Sequence, residues 1–173
     1  MTPPTLAMQA SDNDLTIIHT AQMEQLILAA RQSPRKRMIL PFHKSDDALL
    51  HRMFNAIQPG SYIPPHRHFR SQKAESIILL RGAIAYFTFS EKGEVTGIYH
   101  LKAGSPQFGM DTEPTIFHTF IALSPDTLIY EVKSGPYHKA TDKDFPVWSP
   151  AEDSEQAASY LESLYDLAKE KMS

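Results

Sequence analysis

Cysteine is absent from the 173 residues, which excludes disulfides, thiolate metal sites and cysteine nucleophiles. No apolar run approaches the roughly 20 residues that span a bilayer, so no membrane partner is expected. The first fifteen residues, MTPPTLAMQASDNDL, lack the basic and apolar regions of a secretory leader, and a cytoplasmic location is the expectation. A basic excess is lacking too: 17 Lys and Arg stand against 20 Asp and Glu, a formal net charge of −3. A duplex binder needs a basic face to displace counterions, so no nucleic-acid partner is expected and any anionic partner is small.

What is present is an ordinary globular composition, 42% hydrophobic and 21% charged, in a length that suits one domain. Residues 1–19 mix Pro, Ser, Asp and Asn and are read as an arm, with an edge strand around Leu15 to Ile18 as one option. From Thr20, a plausible N-cap, the spacing of Met23, Leu26, Ile27 and Ala30 predicts a short amphipathic helix that stops at Pro34. The basic group Arg31, Arg35, Lys36 and Arg37 then reads as a solvated helix end, with an anion contact as the alternative.

Past Asp47 the chain turns to short β-like runs: Leu50 to Ile57, Ser76 to Arg81, Ala83 to Phe89, Val95 to Leu101, Pro106 to Met110, His118 to Leu123 and Leu128 to Val132. Turn residues such as Pro59-Gly60, Gly82 and Pro125-Asp126 separate them, which predicts a closed or sandwiched all-β sheet. Tyr160, Leu161, Leu164, Tyr165 and Ala168 fall at helical spacing, so a C-terminal helix over 153–173 is expected to pack on a domain spanning 20–152.

His66 and His68 carry the chemistry. Two residues apart on extended backbone, their imidazoles point to one face and can meet one ion. Glu75, seven residues on, opens the next strand and offers a carboxylate, with Gln72 as the competing oxygen donor. His118 opens a later strand that hairpins can bring back beside the first. Imidazole and carboxylate together suit one divalent first-row ion, with zinc, iron, manganese and nickel all open. Arg67, Arg70 and Lys73, interleaved with these residues, are candidates to draw an anion towards the ion. Tyr62 and Glu131 are further candidate ligand contacts, Glu131 against the alternative of a surface carboxylate.

The pattern G-x5-H-x-H-x6-E-x6-G from Gly60 to Gly82 is similar to the first sequence motif of the cupin superfamily, with a longer gap before Glu75. The second motif is partial: His118 is kept, Pro114 lies one position off the usual proline, Thr115 stands where glycine is usual, and Ala122 holds the asparagine position. Phe54 to His68, Glu131 to Tyr137, Asp142 to Phe145 and Trp148 to Pro150 resemble the WbuC-type cupin-fold metalloproteins, over roughly residues 20–152. That resemblance implies a cupin barrel (double-stranded β-helix, or jelly roll) with short N- and C-terminal helices, and a metal held by His66, His68, Glu75 and His118. It also hints at a sugar or nucleotide-sugar ligand in bacterial surface-polysaccharide synthesis. Isomerisation or epimerisation is the preferred reaction; a non-catalytic carbohydrate or anion module and a metal-dependent oxygenase are the alternatives. A homodimer is a candidate assembly.

Overall fold

The computed structural model describes residues 5–68, 73–138 and 142–172. The first element is α1 (Thr20–Gln32), where the Gln22 side chain accepts from the His19 backbone N–H at 2.8 Å, so His19 rather than Thr20 caps the helix. Eight strands follow: β1 (Arg37–Pro41), β2 (Leu50–Ile57), β3 (Glu75–Arg81), β4 (Ala83–Phe89), β5 (Val95–Lys102), β6 (Gly109–Thr112), β7 (Phe117–Ala122) and β8 (Thr127–Ser134). The last element is α2 (Gln156–Met172).

All pairings between these strands are antiparallel, in two sheets ordered β1-β2-β8-β3-β6 and β5-β4-β7. The extended segment 61–68 continues the second sheet beside β7 through an antiparallel bridge between His66 and His118. With β1 set aside, the facing sheets read β2-β8-β3-β6 and 61–68-β7-β4-β5, the eight-strand double Greek key of a jelly roll. The chain therefore has the cupin fold. Among the described residues, no helix is long and apolar enough to cross a membrane.

Alternation along the strands builds three apolar layers. On β3, Ile77 and Leu79 are buried while Ile78 and Leu80 are exposed, and the inward set joins Ile57, Ile84, Tyr86, Phe120 and Ile129 between the sheets. Every residue of β7 is buried because both of its faces are covered: His118 and Phe120 look into the barrel, whereas Phe117 and Ile121 lie in the layer formed with α2. Leu161, Leu164 and Ala168 supply that layer from the helix. Tyr165 pins α2 down, its hydroxyl donating to the Ala122 carbonyl at 3.0 Å and accepting from the Gly60 N–H at 2.9 Å. Leu26, Ile27 and Ala30 of α1 cover the other sheet against Met38, Leu40 and Phe54.

Gly82 permits the sharp passage from β3 to β4. Its φ is +76°, and a Cβ there would come within 2.9 Å of the Thr127 Cα, so glycine is required on both counts.

Two local expectations are corrected. The basic run is a solvated helix end only in part: Arg31 in the last turn of α1 and Lys36 are exposed, but Arg37 opens β1 and is buried, donating to Ser61 Oγ at 3.1 Å and the Tyr62 carbonyl at 2.8 Å, while Arg35 and Arg37 both pair with Glu152. Near the N-terminus it is Ala7, not Leu15 to Ile18, that bridges the sheet edge, in parallel with Ile39.

Candidate metal centre

His66 and His68 flank Arg67 on the extended segment, so both imidazoles enter the barrel while the arginine faces away. His118 lies directly opposite His66, the two residues exchanging backbone hydrogen bonds of 3.0 and 2.8 Å, and their rings stand 4.7 Å apart. A ligand nitrogen from each of His66, His68 and His118 lies within 4.8 Å of the others. Glu75 reaches them from the opposite sheet, its Oε2 3.2 Å from His68 Nε2 and its Oε1 3.8 Å from His118 Nε2. All four are almost fully buried, at 1–5% exposure, at one end of the barrel.

The orientation of the imidazoles is set by the backbone. Nδ1 of His66 lies 2.9 Å from the Pro64 carbonyl, Nδ1 of His68 2.7 Å from the Asp142 carbonyl, and Nδ1 of His118 2.9 Å from the Ile116 carbonyl. A carbonyl only accepts, so each Nδ1 carries the proton and each neutral ring keeps its lone pair on Nε2. His118 Nε2 is buried without a hydrogen-bond partner. With His118 neutral, Glu75 presents a carboxylate oxygen 3.8 Å from a nitrogen lone pair, an arrangement that calls for a positive charge between them. A divalent cation meets that requirement, and ring nitrogens anchored through their far side are what metal-binding histidines use.

The electrostatics agree. Burial holds the His66 imidazole well below its ordinary pKa, with the Lys143 ammonium and the neighbouring His118 and His68 rings adding to the effect. Burial also lowers His118, against the opposing pull of Glu75. Both rings therefore stay neutral near pH 7, as ligands must. Burial pushes the Glu75 carboxyl up, but its neighbours His68, His118 and the Lys133 ammonium outweigh this, and the group stays far below its usual range. Tyr86 floors the site, stacked on His118 at 5.5 Å and 8°, with its hydroxyl 2.8 Å from Thr112 Oγ1.

The other sequence candidates are dispersed. Glu131 faces the barrel from β8, opposite Ile77 of β3, with Asn55 Nδ2 donating to it at 3.4 Å and Lys133 Nζ 3.7 Å away; burial and the Glu75 charge raise its pKa. Arg67 pairs with Asp144 at 2.8 Å and Glu91 at 2.6 Å on the outer side, its guanidinium 4.3 Å over the Phe117 ring. Lys73 donates to the Asp142 carboxylate at 2.7 Å and the Pro136 carbonyl at 2.9 Å. Tyr62 sits in the layer under α2 and donates to the Pro150 carbonyl at 2.9 Å. Arg70 and Gln72 lie outside the described residues, so the choice between Gln72 and Glu75 concerns only Glu75 here.

Sequence reasoning named Asp142 to Phe145 only as part of the resemblance and gave them no place at the site; Asp142, Lys143 and Phe145 form a strap over it. Arg67 and Asp144 exchange backbone hydrogen bonds of 3.0 and 2.9 Å, so the strap adds an antiparallel bridge along 61–68. The Phe145 ring lies 6.0 Å from that of His66. Burial, with Lys133 nearby, pulls the Lys143 ammonium down to about 8. Apart from that resemblance, the signal in the sequence was the alternation Asp142-Lys-Asp-Phe145, too short beside Pro146 to read as a strand.

A family model described as a domain of unknown function, DUF6016, matches residues 18–101, a span that includes His66, His68 and Glu75 but stops before His118. No curated protein matches the sequence. Among solved structures, KdgF from Halomonas sp. is similar with a TM-score of 0.46 and 17% identity, over 60% of this chain and 83% of that one. A variant of oxalate decarboxylase from Bacillus subtilis gives 0.44 and 19% identity, over 57% of this chain and 24% of that one. Oxalate decarboxylase from Lactobacillus farciminis, as a formate complex, gives 0.43 and 22%, over 57% and 27%. The chain thus spans about a quarter of the two decarboxylases it resembles. Likenesses this distant say nothing of substrate or reaction, and the cupin fold rests on the strand order of the chain itself.

Proposed function

We propose that the protein is a metal-binding cupin in which His66, His68, His118 and Glu75 hold one divalent ion and an oxygen of a small sugar-derived ligand completes its coordination. The observation that carries this reading is the set of three Nδ1 to carbonyl contacts, which turns every Nε2 lone pair inward. When bound, the ion supplies Lewis acidity, polarising a ligand hydroxyl or carbonyl. The chain's own part is to fix the donors, exclude bulk water beneath the strap and provide a proton acceptor. Glu131 fits that last role: it faces the barrel interior and its raised pKa lies closer to neutrality, where a general base works best. Isomerisation or epimerisation of a sugar derivative uses such a pairing of Lewis acid and base. The resemblance of residues 20–152 to WbuC-type proteins adds the surface-polysaccharide setting.

X-ray absorption on untagged protein tests the ligand set, with three imidazole nitrogens and a carboxylate oxygen expected around the ion. Incubation with nucleotide sugars in deuterated water tests the reaction. Glu131→Gln should keep the metal and slow hydrogen exchange at a sugar carbon by about a hundredfold or more. Exchange at the wild-type rate would remove Glu131 from the chemistry, and no exchange with any sugar would favour a binding module.

A further inference from the structure

We infer that Lys143 is the cation that docks an oxyanion of the ligand, a carboxylate or phosphate, beside the metal ion. This rests on the metal reading above and adds the ligand's charge and the group that meets it. The placement follows from register. Because Arg67 and Asp144 are bridged directly opposite each other, their side chains share one face, as their 2.8 Å ion pair shows. The flanking residues alternate to the other face. Phe145 then stands across from His66, as the ring contact requires, and Lys143 across from His68. The Lys143 ammonium accordingly lies within electrostatic reach of His66, His118, Glu75 and Glu131.

Its situation differs from that of the other lysines here. Lys73 is paired with Asp142, and Lys133 lies 3.3 Å from Asp142 and 3.7 Å from Glu131. Lys143 makes no ion pair or hydrogen bond with any described residue. Charge balance points the same way. Among the described residues, the carboxylates of Glu75, Glu131 and Asp142 stand against the ammonium groups of Lys73, Lys133 and Lys143, so a divalent ion adds two positive charges to that balanced set. An anionic ligand neutralises that surplus, and Lys143 is the ammonium left to bond to it. Arg67 and Lys73, which the sequence puts beside the ligands, already have carboxylate partners.

The test uses full-length protein loaded with cobalt(II), whose visible spectrum reports inner-sphere ligands, with metal content measured on every sample. Glycolate supplies a carboxylate next to a hydroxyl, ethylene glycol is its neutral counterpart, and inorganic phosphate forms the other arm. Wild-type protein should bind glycolate or phosphate in preference to ethylene glycol, the stronger arm naming the oxyanion. Lys143→Met should carry the same cobalt but bind that anion on the order of tenfold to a hundredfold more weakly, and Lys143→Arg should restore much of the loss. Cobalt-loaded Lys143→Met with undiminished anion binding, or a wild type that binds neither glycolate nor phosphate better than ethylene glycol, would overturn the inference and leave the metal reading standing. Wild-type protein that takes up no metal would overturn both.

Discussion

Each histidine of the centre does two jobs through two nitrogens. His66 and His68 were legible from the sequence because alternation along an extended chain is a local rule. The contacts that turn Nε2 inward were not, because their acceptors are backbone carbonyls of Pro64, Asp142 and Ile116, and a carbonyl has no residue signature. Charged neighbours were harder still. Arg67 shares a tripeptide with two candidate ligands yet faces the other way, whereas Lys143 is far away in sequence and close in space. At this scale, His118→Ala should weaken divalent metal binding by more than about a hundredfold, since it removes a donor rather than the support of one. Competition with a chromophoric chelator measures this, and a tenfold change or less would place His118 outside the coordination shell.

The strap and β1 are the elements the sequence left unread, for the same reason: neither has a periodic pattern of its own. β1 begins in a basic run, and its strand character comes from pairing with β2, Arg37 opposite Ile57 through Pro41 opposite Met53. The strap is held by Asp142, whose carboxylate meets Lys73 and Lys133 in buried surroundings. Asp142→Ala strands the Lys73 ammonium and leaves Lys133 with Glu131 alone, and it should cost about 3 to 5 kcal/mol in an unfolding titration. A loss under 1 kcal/mol would mean that the strap is held by other contacts. Burial raises the Asp142 carboxyl, but Lys133 and Lys73 more than reverse this, leaving its pKa below the ordinary 3.8. The unfolded state therefore binds the proton more readily. The carboxylate's contribution is complete above pH 3.8 and is lost as the pH falls through the lower folded value. Comparison of wild type with Asp142→Asn should show the stability gap closing only below that pH.

For the molecule as a whole, the all-β barrel was readable because seven short runs with turn residues between them leave few other arrangements. Strand ends shifted where pairing decides them: β6 runs Gly109–Thr112, set by its register with Glu75 to Ile78, rather than from Pro106. The C-terminal helix was visible from spacing alone, and its face covers the outer side of the second sheet. Leu164, 1% exposed in that layer, sets a stability test remote from the site. Leu164→Ala should cost about 2 to 5 kcal/mol and lower the melting temperature by roughly 5 to 15 °C while metal content stays unchanged.

The apolar layers supply most of the burial, so loss of the candidate metal ligands should leave the chain folded. Metal content per chain, measured by elemental analysis of untagged protein alongside His66→Ala/His68→Ala, tests the account most directly. About one divalent ion per wild-type chain is expected, and none in the double variant, with the β-rich circular dichroism of both unchanged. A double variant that keeps its metal, or a wild type that takes up none after incubation with divalent ions, would contradict the assignment of His66, His68, Glu75 and His118 as a metal centre.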